Sequence, residues 1–244
     1  MCPELMVIGV LVKAIKKKNI RTRCSAIVTK GSNSVLIDTS PDLKYQLLAN
    51  NIRNVSSVVF THEHADQTNG LFELRPFFWE KSKKINVYGN LATIKDIKRR
   101  HSYLFEKKNP SSYPPILKAN FIKKKFSLGN KGEKILFKTF SLKHGSTKSI
   151  IYIFEKTAYI SDCNDLSILK ISEFKKLNYL ILDCLKFTKH PSHFNLDQSL
   201  NIHSHLKPKK TILTNLHYDL DYDYLKKNLP KNVIPAFDGL KINL

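Results

Sequence analysis

From residue 25 onward, the apolar positions of the chain follow two kinds of pattern. Short runs rich in β-branched and aromatic residues predict strands, which are SAIVTK, VLIDTS, VSSVVF, KINVYG, KILFKTFSLKH, SIIYIF, TAYISD, YLILDC, TILTNL, NVIPAF and LKINL. Stretches with apolar residues at helical spacing predict helices, which are PDLKYQLLA, LATIKDIKRR, DLSILKISEFKK, NLDQSLNIHSHL and YDYLKKNL. The alternation of strands and helices predicts a mixed α/β chain with βαβ-like order.

Turn residues join two pairs of these strands into predicted hairpins. Residues 31–34 separate the first two runs, and Glu155 with Lys156 separates SIIYIF from TAYISD. Three stretches lack a clear pattern: the first twenty residues, GLFELRPFFW, and residues 107–132, which are basic and contain proline. We expect residues 107–132 to form an irregular excursion.

Length and composition predict a single domain over residues 1–244. A chain of 244 residues can bury a sizeable core, and no Gly/Ser-rich or Pro-rich linker divides it. Hydrophobic residues make up 42% and aromatics 10%, which argues against extended disorder. No apolar run approaches the roughly 20 residues of a membrane helix, so we predict no membrane association. Four scattered cysteines without a C-x-x-C pair argue against a disulfide framework and favour a cytoplasmic protein.

The net charge of +21 makes a polyanionic partner such as nucleic acid worth considering. The excess, however, consists mostly of lysine in a chain that is also rich in asparagine and isoleucine, a bias that the base composition of a genome can produce. Charge alone therefore does not favour a nucleic-acid partner over a small substrate.

The stretch THEHADQTNG concentrates the candidate chemistry of the chain. It follows the predicted strand VSSVVF and contains His62, His64 and Asp66 within five residues. Two imidazoles and a carboxylate at this spacing are typical of half of a metal site, and the alternative is a solvated polar loop. Further ligands at compatible positions decide between the two interpretations.

Further candidate ligands occupy the same position relative to other predicted strands. They are His144, Asp162 and His217, and each lies at or just beyond the end of a strand. Strand ends in one packed sheet system share a rim, so we expect these side chains to approach the histidine motif. The histidines His62, His64 and His144 would suit zinc, while Asp66, Asp162 and His217 would form a second site richer in oxygen ligands. Two cations in such sites can share and acidify a water.

Three further residues compete for roles near this rim. Asp183 ends YLILD and is as well placed as Asp162 to bridge two metals. His190 and His193 lie in the loop KFTKHPSHFN, and either could act as an acid near a phosphate or simply be exposed to solvent.

With these residues in view, the chain resembles the metallo-β-lactamase-fold hydrolases over about residues 21 to 244. Within them it is most similar to the branch that contains the phosphoribosyl cyclic phosphodiesterase. The stretches that carry the resemblance are RTRCSAIV, VLIDTSPDL, THEHADQTNG, GLFELRP, KHGSTK, ISDCNDL, LILDCL, HFNLDQ, TILTNLHYDLDY and FDGL. The resemblance implies an αββα sandwich, in which two mixed β-sheets are flanked by helices and a dimetal centre lies at the sheet edges.

The resemblance also implies a role for each candidate. The residues implied to bind metal are His62, His64, Asp66, Gln67, His144, Asp162 and His217. Asp162 would bridge the two metals, which leaves Asp183 as a supporting carboxylate. The residues implied to act in catalysis are Asp66, which would orient the attacking water, and His193, which would protonate the leaving oxygen.

Two features depart from the family pattern. Position 67 is normally histidine, and the amide oxygen of Gln67 is a weaker ligand for zinc-like metals. We therefore expect one or two divalent metals per chain, zinc or manganese. The first twenty residues also lack the usual Gly-rich first strand, so we expect residues 1–20 to be an atypical start, truncated or frame-shifted.

Together these observations predict a metal-dependent hydrolase that attacks phosphorus with a metal-bound hydroxide. The predicted substrate is a small phosphodiester or nucleotide, and a homodimer is compatible with this prediction. One alternative is an RNA-processing nuclease of the same fold, which the lysine excess favours. The other is a degenerate metal-binding module without turnover, in which Gln67 and the atypical start have abolished catalysis.

Overall fold

A computed structural model describes residues 17–107 and 113–244. The first of its two sheets contains strands in the order β1-β2-β3-β4-β5. These strands are β1 (Ala26–Lys30), β2 (Asn33–Ile37), β3 (Ser57–Val59), β4 (Ile85–Gly89) and β5 (Leu117–Phe121). The hairpin β1–β2 is antiparallel, as the sequence predicted, and the other pairs are parallel.

The second sheet has the strand order β12-β11-β10-β9-β8-β7-β6. Its strands are β6 (Lys125–Leu128), β7 (Ile135–His144), β8 (Thr147–Phe154), β9 (Thr157–Ile160), β10 (Tyr179–Asp183), β11 (Lys210–Thr214) and β12 (Val233–Pro235). Pairing is antiparallel from β6 to β9, which includes the predicted hairpin β8–β9, and parallel from β9 to β12.

The helices lie between these strands in the sequence, and all but the shortest pack against the outer faces of the sheets. They are α1 (Leu43–Ala49), α2 (Ala65–Thr68), α3 (Arg75–Lys81), α4 (Leu91–Arg100), α5 (Leu196–Leu206) and α6 (Tyr222–Asn228). Helix α5 begins with a capping box, in which Asn195 and Gln198 each accept a backbone hydrogen bond from the other. α4 contacts β4 and β5, and α5 contacts β10.

Successive apolar side chains along the strands point to opposite faces of the sheets and so form three hydrophobic layers. In β2, Val35 and Ile37 pack in the cluster between the two sheets, whereas Leu36 packs with α1 and α4 on the outer face. In β8, Tyr152 belongs to the layer between the sheets and Ile151 to the layer under α5. Because successive side chains point to opposite faces, each sheet is buried on both sides. The predicted αββα sandwich of two mixed sheets is confirmed.

Four local predictions need correction or completion. Residues 107–132 are not one irregular excursion, since β5 pairs with β4 and β6 pairs with β7; residues 108–112 lie outside the described part. LKINL forms no strand in the structure. DLSILKISEFKK forms two short 3-10 helices, Leu166–Lys170 and Ser172–Phe174, because Ile171 between them has extended backbone angles. GLFELRPFFW, which has no clear pattern in the sequence, forms a 3-10 turn followed by α3.

Strand direction brings the candidate residues to one edge of the sandwich. β7, β9, β10 and β11 run in the same direction, so the residues at their carboxyl ends share that edge. The two sheets are joined there by a backbone hydrogen bond of 2.8 Å from Ile150 N to Thr61 O. The histidine motif after β3 therefore faces the strand ends of the second sheet.

At the start of the described chain, Lys17–Asn19 forms a 3-10 turn that packs near α6. Arg21 donates to the backbone oxygen of Leu220 at 2.8 Å, and Asn19 donates to Asp221. The predicted atypical start at residues 1–20 otherwise falls on residues 1–16, outside the described part. No helix among the described residues has the length and apolar character needed to cross a membrane.

Candidate metal centre

Three imidazoles converge at the edge where the two sheets meet. His62 and His64 follow β3, and His144 is the last residue of β7. Nδ1 of His64 lies 2.9 Å from Nε2 of His62 and 3.3 Å from Nε2 of His144. His62 and His144 are buried, whereas His64 lies on the exposed side of the group.

Hydrogen bonds behind the ring of His62 determine which of its nitrogens carries a proton. The buried Asp38 accepts from the backbone N–H of Thr61 at 2.8 Å and from the Thr61 hydroxyl at 2.8 Å. Burial raises the pKa of Asp38, whereas these two hydrogen bonds favour its carboxylate form. With the hydroxyl proton directed to Asp38, Thr61 Oγ1 can only accept from Nδ1 of His62, 3.0 Å away. Nε2 of His62 is then the nitrogen with a free lone pair.

A backbone carbonyl determines the tautomer of His144 in the same way. Nδ1 of His144 lies 2.8 Å from the carbonyl oxygen of Ser192, which can only accept. Nδ1 must therefore carry the proton, and Nε2 of His144 presents its lone pair toward His64. Partners of this kind orient metal-binding histidines and increase their basicity as ligands.

The donor set fits a divalent transition metal. Zinc–nitrogen bonds of about 2.0–2.1 Å in tetrahedral geometry imply nitrogens roughly 3.3–3.4 Å apart. The nitrogen–nitrogen distances of 2.9 Å from His64 to His62 and 3.3 Å from His64 to His144 are close to this separation. Burial lowers the pKa of His62 to about 4 and also lowers the pKa of His144, so both rings are neutral at pH 7, the form in which imidazole binds metal.

A second group of potential ligands shares His144 with the first. Nε2 of His144 lies 3.8 Å from Oδ1 of Asp162, and Nε2 of His193 lies 3.9 Å from the same oxygen. Nδ1 of His193 lies 2.8 Å from Oδ2 of Asp183. Burial alone would lower the pKa of His193, but the hydrogen bond and charge of Asp183 raise it overall. Asp183 therefore contacts His193, while Asp162 faces the cluster formed by His62, His64 and His144.

Asp183 is itself held by a buried set of donors at the end of β10. Its Oδ2 accepts from the backbone N–H of Cys163 at 3.0 Å, and its Oδ1 accepts from Nδ2 of Asn215 at 3.2 Å. Asn215 has a positive φ of 60°, and it also bonds the Ser161 carbonyl and the Cys24 thiol. These contacts fix the carboxylate that orients His193.

The remaining predicted residues lie at the border of these two groups. Nε2 of Gln67, which is buried, lies 3.2 Å from Oδ2 of Asp162 and 3.5 Å from Oδ2 of the half-buried Asp66. His217 belongs to neither group; its side chain is 43% exposed and its Nδ1 lies 3.3 Å from Asp219. The structure thus unites His62, His64 and His144, and sets Asp162 and His193 beside them.

The loop that carries the histidine motif is tied to both sheets. The carboxylate of Glu63 accepts from Thr147 at 2.7 Å and from Thr93 at 3.1 Å. The guanidinium of Arg100 donates to the backbone oxygen of Glu63 and to the hydroxyl of Thr68, each at 2.9 Å. These bonds hold the backbone between His62 and His64 against α4 and β8.

The sequence interpretation assigned no role to several of these supporting residues. They are Asp38, Thr61, Glu63, Ser192 and Asn215, and each acts through a hydrogen bond to a partner that only folding brings near. The one signal available in the sequence is position, since Asp38 and Asn215 follow strands just as His62 and Asp162 do.

Comparisons with known proteins agree with this fold. The sequence model of the protein family described as the beta-lactamase superfamily domain matches residues 33–218 of this chain. A solved diphosphatase from the PhnP family is 27% identical with a TM-score of 0.87, covering 99% of this chain and 92% of that one. Zn(2+)-bound PqqB from Methylobacterium extorquens is 15% identical with a TM-score of 0.73, covering 91% of this chain and 88% of that one. Human tRNase Z, short form, is also 15% identical, with a TM-score of 0.64, covering 91% and 92%.

A curated relative from Porphyromonas gingivalis, named octanoyltransferase, is 29% identical over 225 residues. The matched region covers 91% of this chain but 44% of that protein, so the chain spans less than half the length of this relative.

Proposed function

We propose that this chain, which belongs to the beta-lactamase superfamily, is a metal-dependent hydrolase of a small phosphodiester, such as a cyclic ribose phosphate or a nucleotide. The observation that carries the proposal is the pairing of a three-nitrogen metal site with a carboxylate-oriented histidine. Nε2 of His193 lies 3.9 Å from Oδ1 of Asp162, and Nε2 of His144 approaches the same oxygen. The similarity to a diphosphatase supports chemistry at phosphorus.

His62, His64 and His144 would hold the metal, with Asp162 beside it. A bound divalent metal supplies a Lewis acid and lowers the pKa of coordinated water. Zinc and manganese both accept such a donor set, since imidazole nitrogen suits zinc and carboxylate oxygen suits manganese. Three imidazole nitrogens would favour a transition metal over calcium or magnesium at this site.

The chain's own residues would then move the protons. Water adds to phosphorus as hydroxide and releases its other proton to the solvent, while the bond from phosphorus to the leaving oxygen breaks; the solvent later returns one proton to His193. Asp66, half-buried and therefore accessible to solvent, accepts a hydrogen bond from the attacking water and orients it. His193 donates the proton on Nε2 to the leaving alkoxide, which departs as an alcohol. The proton on Nδ1 of His193 stays on that nitrogen and remains hydrogen-bonded to Asp183.

The test uses purified protein loaded with zinc or manganese and four substrate classes. These are bis-nitrophenyl phosphate, ribose cyclic phosphates, an octanoyl thioester and a β-lactam. We expect turnover of the phosphodiesters with at least one metal and none with His64→Ala. Phosphodiester turnover no higher than that of His64→Ala, or preferred turnover of the thioester or β-lactam, would contradict the proposal.

A second candidate is an RNA-processing nuclease, since a net charge of +21 would attract an RNA backbone. Phosphate contacts by many lysines make nucleic-acid binding fall steeply with salt. RNA binding that weakens between 50 and 200 mM salt, followed by cleavage, would support this candidate (roughly a 10³-fold loss for six phosphate contacts). The absence of a gel shift at low salt would reject it without affecting the leading proposal.

A further inference from the structure

Gln67 lies between the two carboxylates on which a second metal site would depend. Its amide nitrogen is 3.2 Å from Oδ2 of Asp162 and 3.5 Å from Oδ2 of Asp66. The side chain is buried at 1% exposure, so these contacts are shielded from water. One NH2 group has two hydrogens, and one can point to each carboxylate.

The orientation of the amide follows from its hydrogen bonds. Oε1 of Gln67 is buried and has no hydrogen-bond partner among the residues that the structure describes. If the amide were turned over, the NH2 group would occupy that partnerless position with two unsatisfied donors, and Oε1 would face two acceptor oxygens. A buried unpaired N–H is rarer than an under-satisfied carbonyl oxygen, so the nitrogen belongs toward the carboxylates. An amide nitrogen in that orientation offers no lone pair to a metal.

The other residue predicted for a second site is His217, whose ring nitrogens are not among the converging ligand atoms. His217 belongs to neither group of converging ligand atoms among the described residues, and its Nδ1 faces Asp219. Among the described residues, a second cation would have the carboxylates of Asp66 and Asp162 and Nε2 of His193 as possible ligands. Both carboxylates already accept from Gln67, and Nε2 of His193 is the atom that carries the acid proton in the proposed function.

We propose that this chain binds a single divalent metal at His62, His64 and His144, and that Gln67 takes the place of a second metal. The neutral amide bridges the carboxylates of Asp66 and Asp162 by hydrogen bonds, where a cation would otherwise neutralise them. The inference rests on the metal site of the proposed function but not on its substrate. The chain would then be a one-metal hydrolase, and Gln67 would not bind metal but would hold the carboxylates of Asp66 and Asp162 in place.

The experiment counts metal without any substrate. Protein freed of metal by chelator dialysis is titrated with Mn²⁺, free Mn²⁺ is followed by its six-line EPR signal, and retained metal is measured by elemental analysis after desalting. We expect the wild-type chain to retain one equivalent and His64→Ala to retain none. Two equivalents in the wild type, or one in His64→Ala, would overturn the proposal.

Two variants test the role of Gln67 itself. Gln67→His supplies a ligand nitrogen, and Gln67→Glu keeps the shape of the side chain while replacing its donors by an acceptor. We expect at least one of them, folded by circular dichroism, to retain two equivalents, with a spin-coupled Mn²⁺ pair in the EPR spectrum. One equivalent in both folded variants would show that Gln67 does not exclude the second metal. Because no turnover is measured, failure of phosphodiester hydrolysis would not alter these counts.

Discussion

Nδ1 of His193 lies 2.8 Å from Oδ2 of Asp183, and this contact leaves Nε2 of His193 directed toward the side of the site where Asp162 lies. A histidine held in this way can deliver a proton from Nε2 while its other nitrogen remains bonded to the carboxylate. In the proposed function, His193 would therefore serve the leaving group, while His62, His64 and His144 would bind the metal.

His193→Ala should therefore lower kcat in a manner that depends on the leaving group. General acid catalysis contributes about 10²–10⁴-fold, so we expect a loss of that order for ribose cyclic phosphates. Nitrophenolate leaves without a proton, so the loss for bis-nitrophenyl phosphate should be much smaller. Equal losses for both substrates, or loss of metal in the variant, would contradict a role as acid.

Thr61→Val should weaken metal binding without changing the shape of the side chain. The variant removes the hydroxyl that links Asp38 to Nδ1 of His62. Loss of such a supporting partner typically costs about 10–100-fold in metal affinity, which a competition titration with a chromophoric chelator would measure. Thr157→Val is the matched control, because the buried Thr157 hydroxyl has no hydrogen-bond partner within residues 17–107 and 113–244. The control should keep wild-type affinity; an equal loss in both variants would contradict the relay.

Arg100→Lys should loosen the loop between His62 and His64. Lysine cannot reproduce the separate bonds of this guanidinium to Glu63 O, Thr68 and Asn69, so we expect a loss of about 1–3 kcal/mol in the free energy of unfolding. Urea denaturation would measure it. The control is Arg99→Lys, because Arg99 is 74% exposed and, in the described part of the chain, forms an ion pair with Asp96 alone. Similar stability of the two variants would argue against this role of Arg100.

Gly70→Ala should destabilise the fold through a backbone collision. A Cβ at this position would overlap the carbonyl oxygen of Ser40 and come within 2.9 Å of the Cβ of Leu43. Overpacking against a backbone atom typically costs about 1–3 kcal/mol or more, so we expect a clear drop in Tm. Gly89→Ala, whose Cβ would come no closer than 3.3 Å to its neighbours, should lower the Tm less. An equal or larger drop for Gly89→Ala would contradict the prediction.

Removal of metal should lower the thermal stability of the wild-type chain. A metal that binds only the folded state stabilises it by about 2.7 kcal/mol at a free concentration one hundred times its Kd. We expect EDTA to lower the Tm measured by differential scanning fluorimetry. His64 lies on the exposed side of the site, so His64→Ala should have the Tm of the metal-free wild type and no response to EDTA. An EDTA-induced shift that persists in His64→Ala would place the metal elsewhere.

Much of the fold could be predicted from apolar periodicity. Strands such as β7 and β10 and helices such as α4 were read from their own residues, because alternation and helical spacing are local properties. Residues 117–128 were missed, because β5 and β6 lack a strong local pattern and exist through pairing with β4 and β7. Their partners are distant in the sequence, and only the sheet supplies the backbone hydrogen bonds that define them.

For the candidate site, too, some features could be predicted from the sequence and others required the tertiary structure. The sequence by itself determined which side chains could bind a metal, because imidazole and carboxylate groups after strands are visible as residue types and positions. Only the tertiary structure decided how they are arranged: the tautomers of His62 and His144 depend on Thr61 and Ser192, and Gln67 faces Asp162 across the two sheets. The reason is physical, since hydrogen-bond direction and burial arise only when residues far apart in the chain meet at the edge of the sandwich.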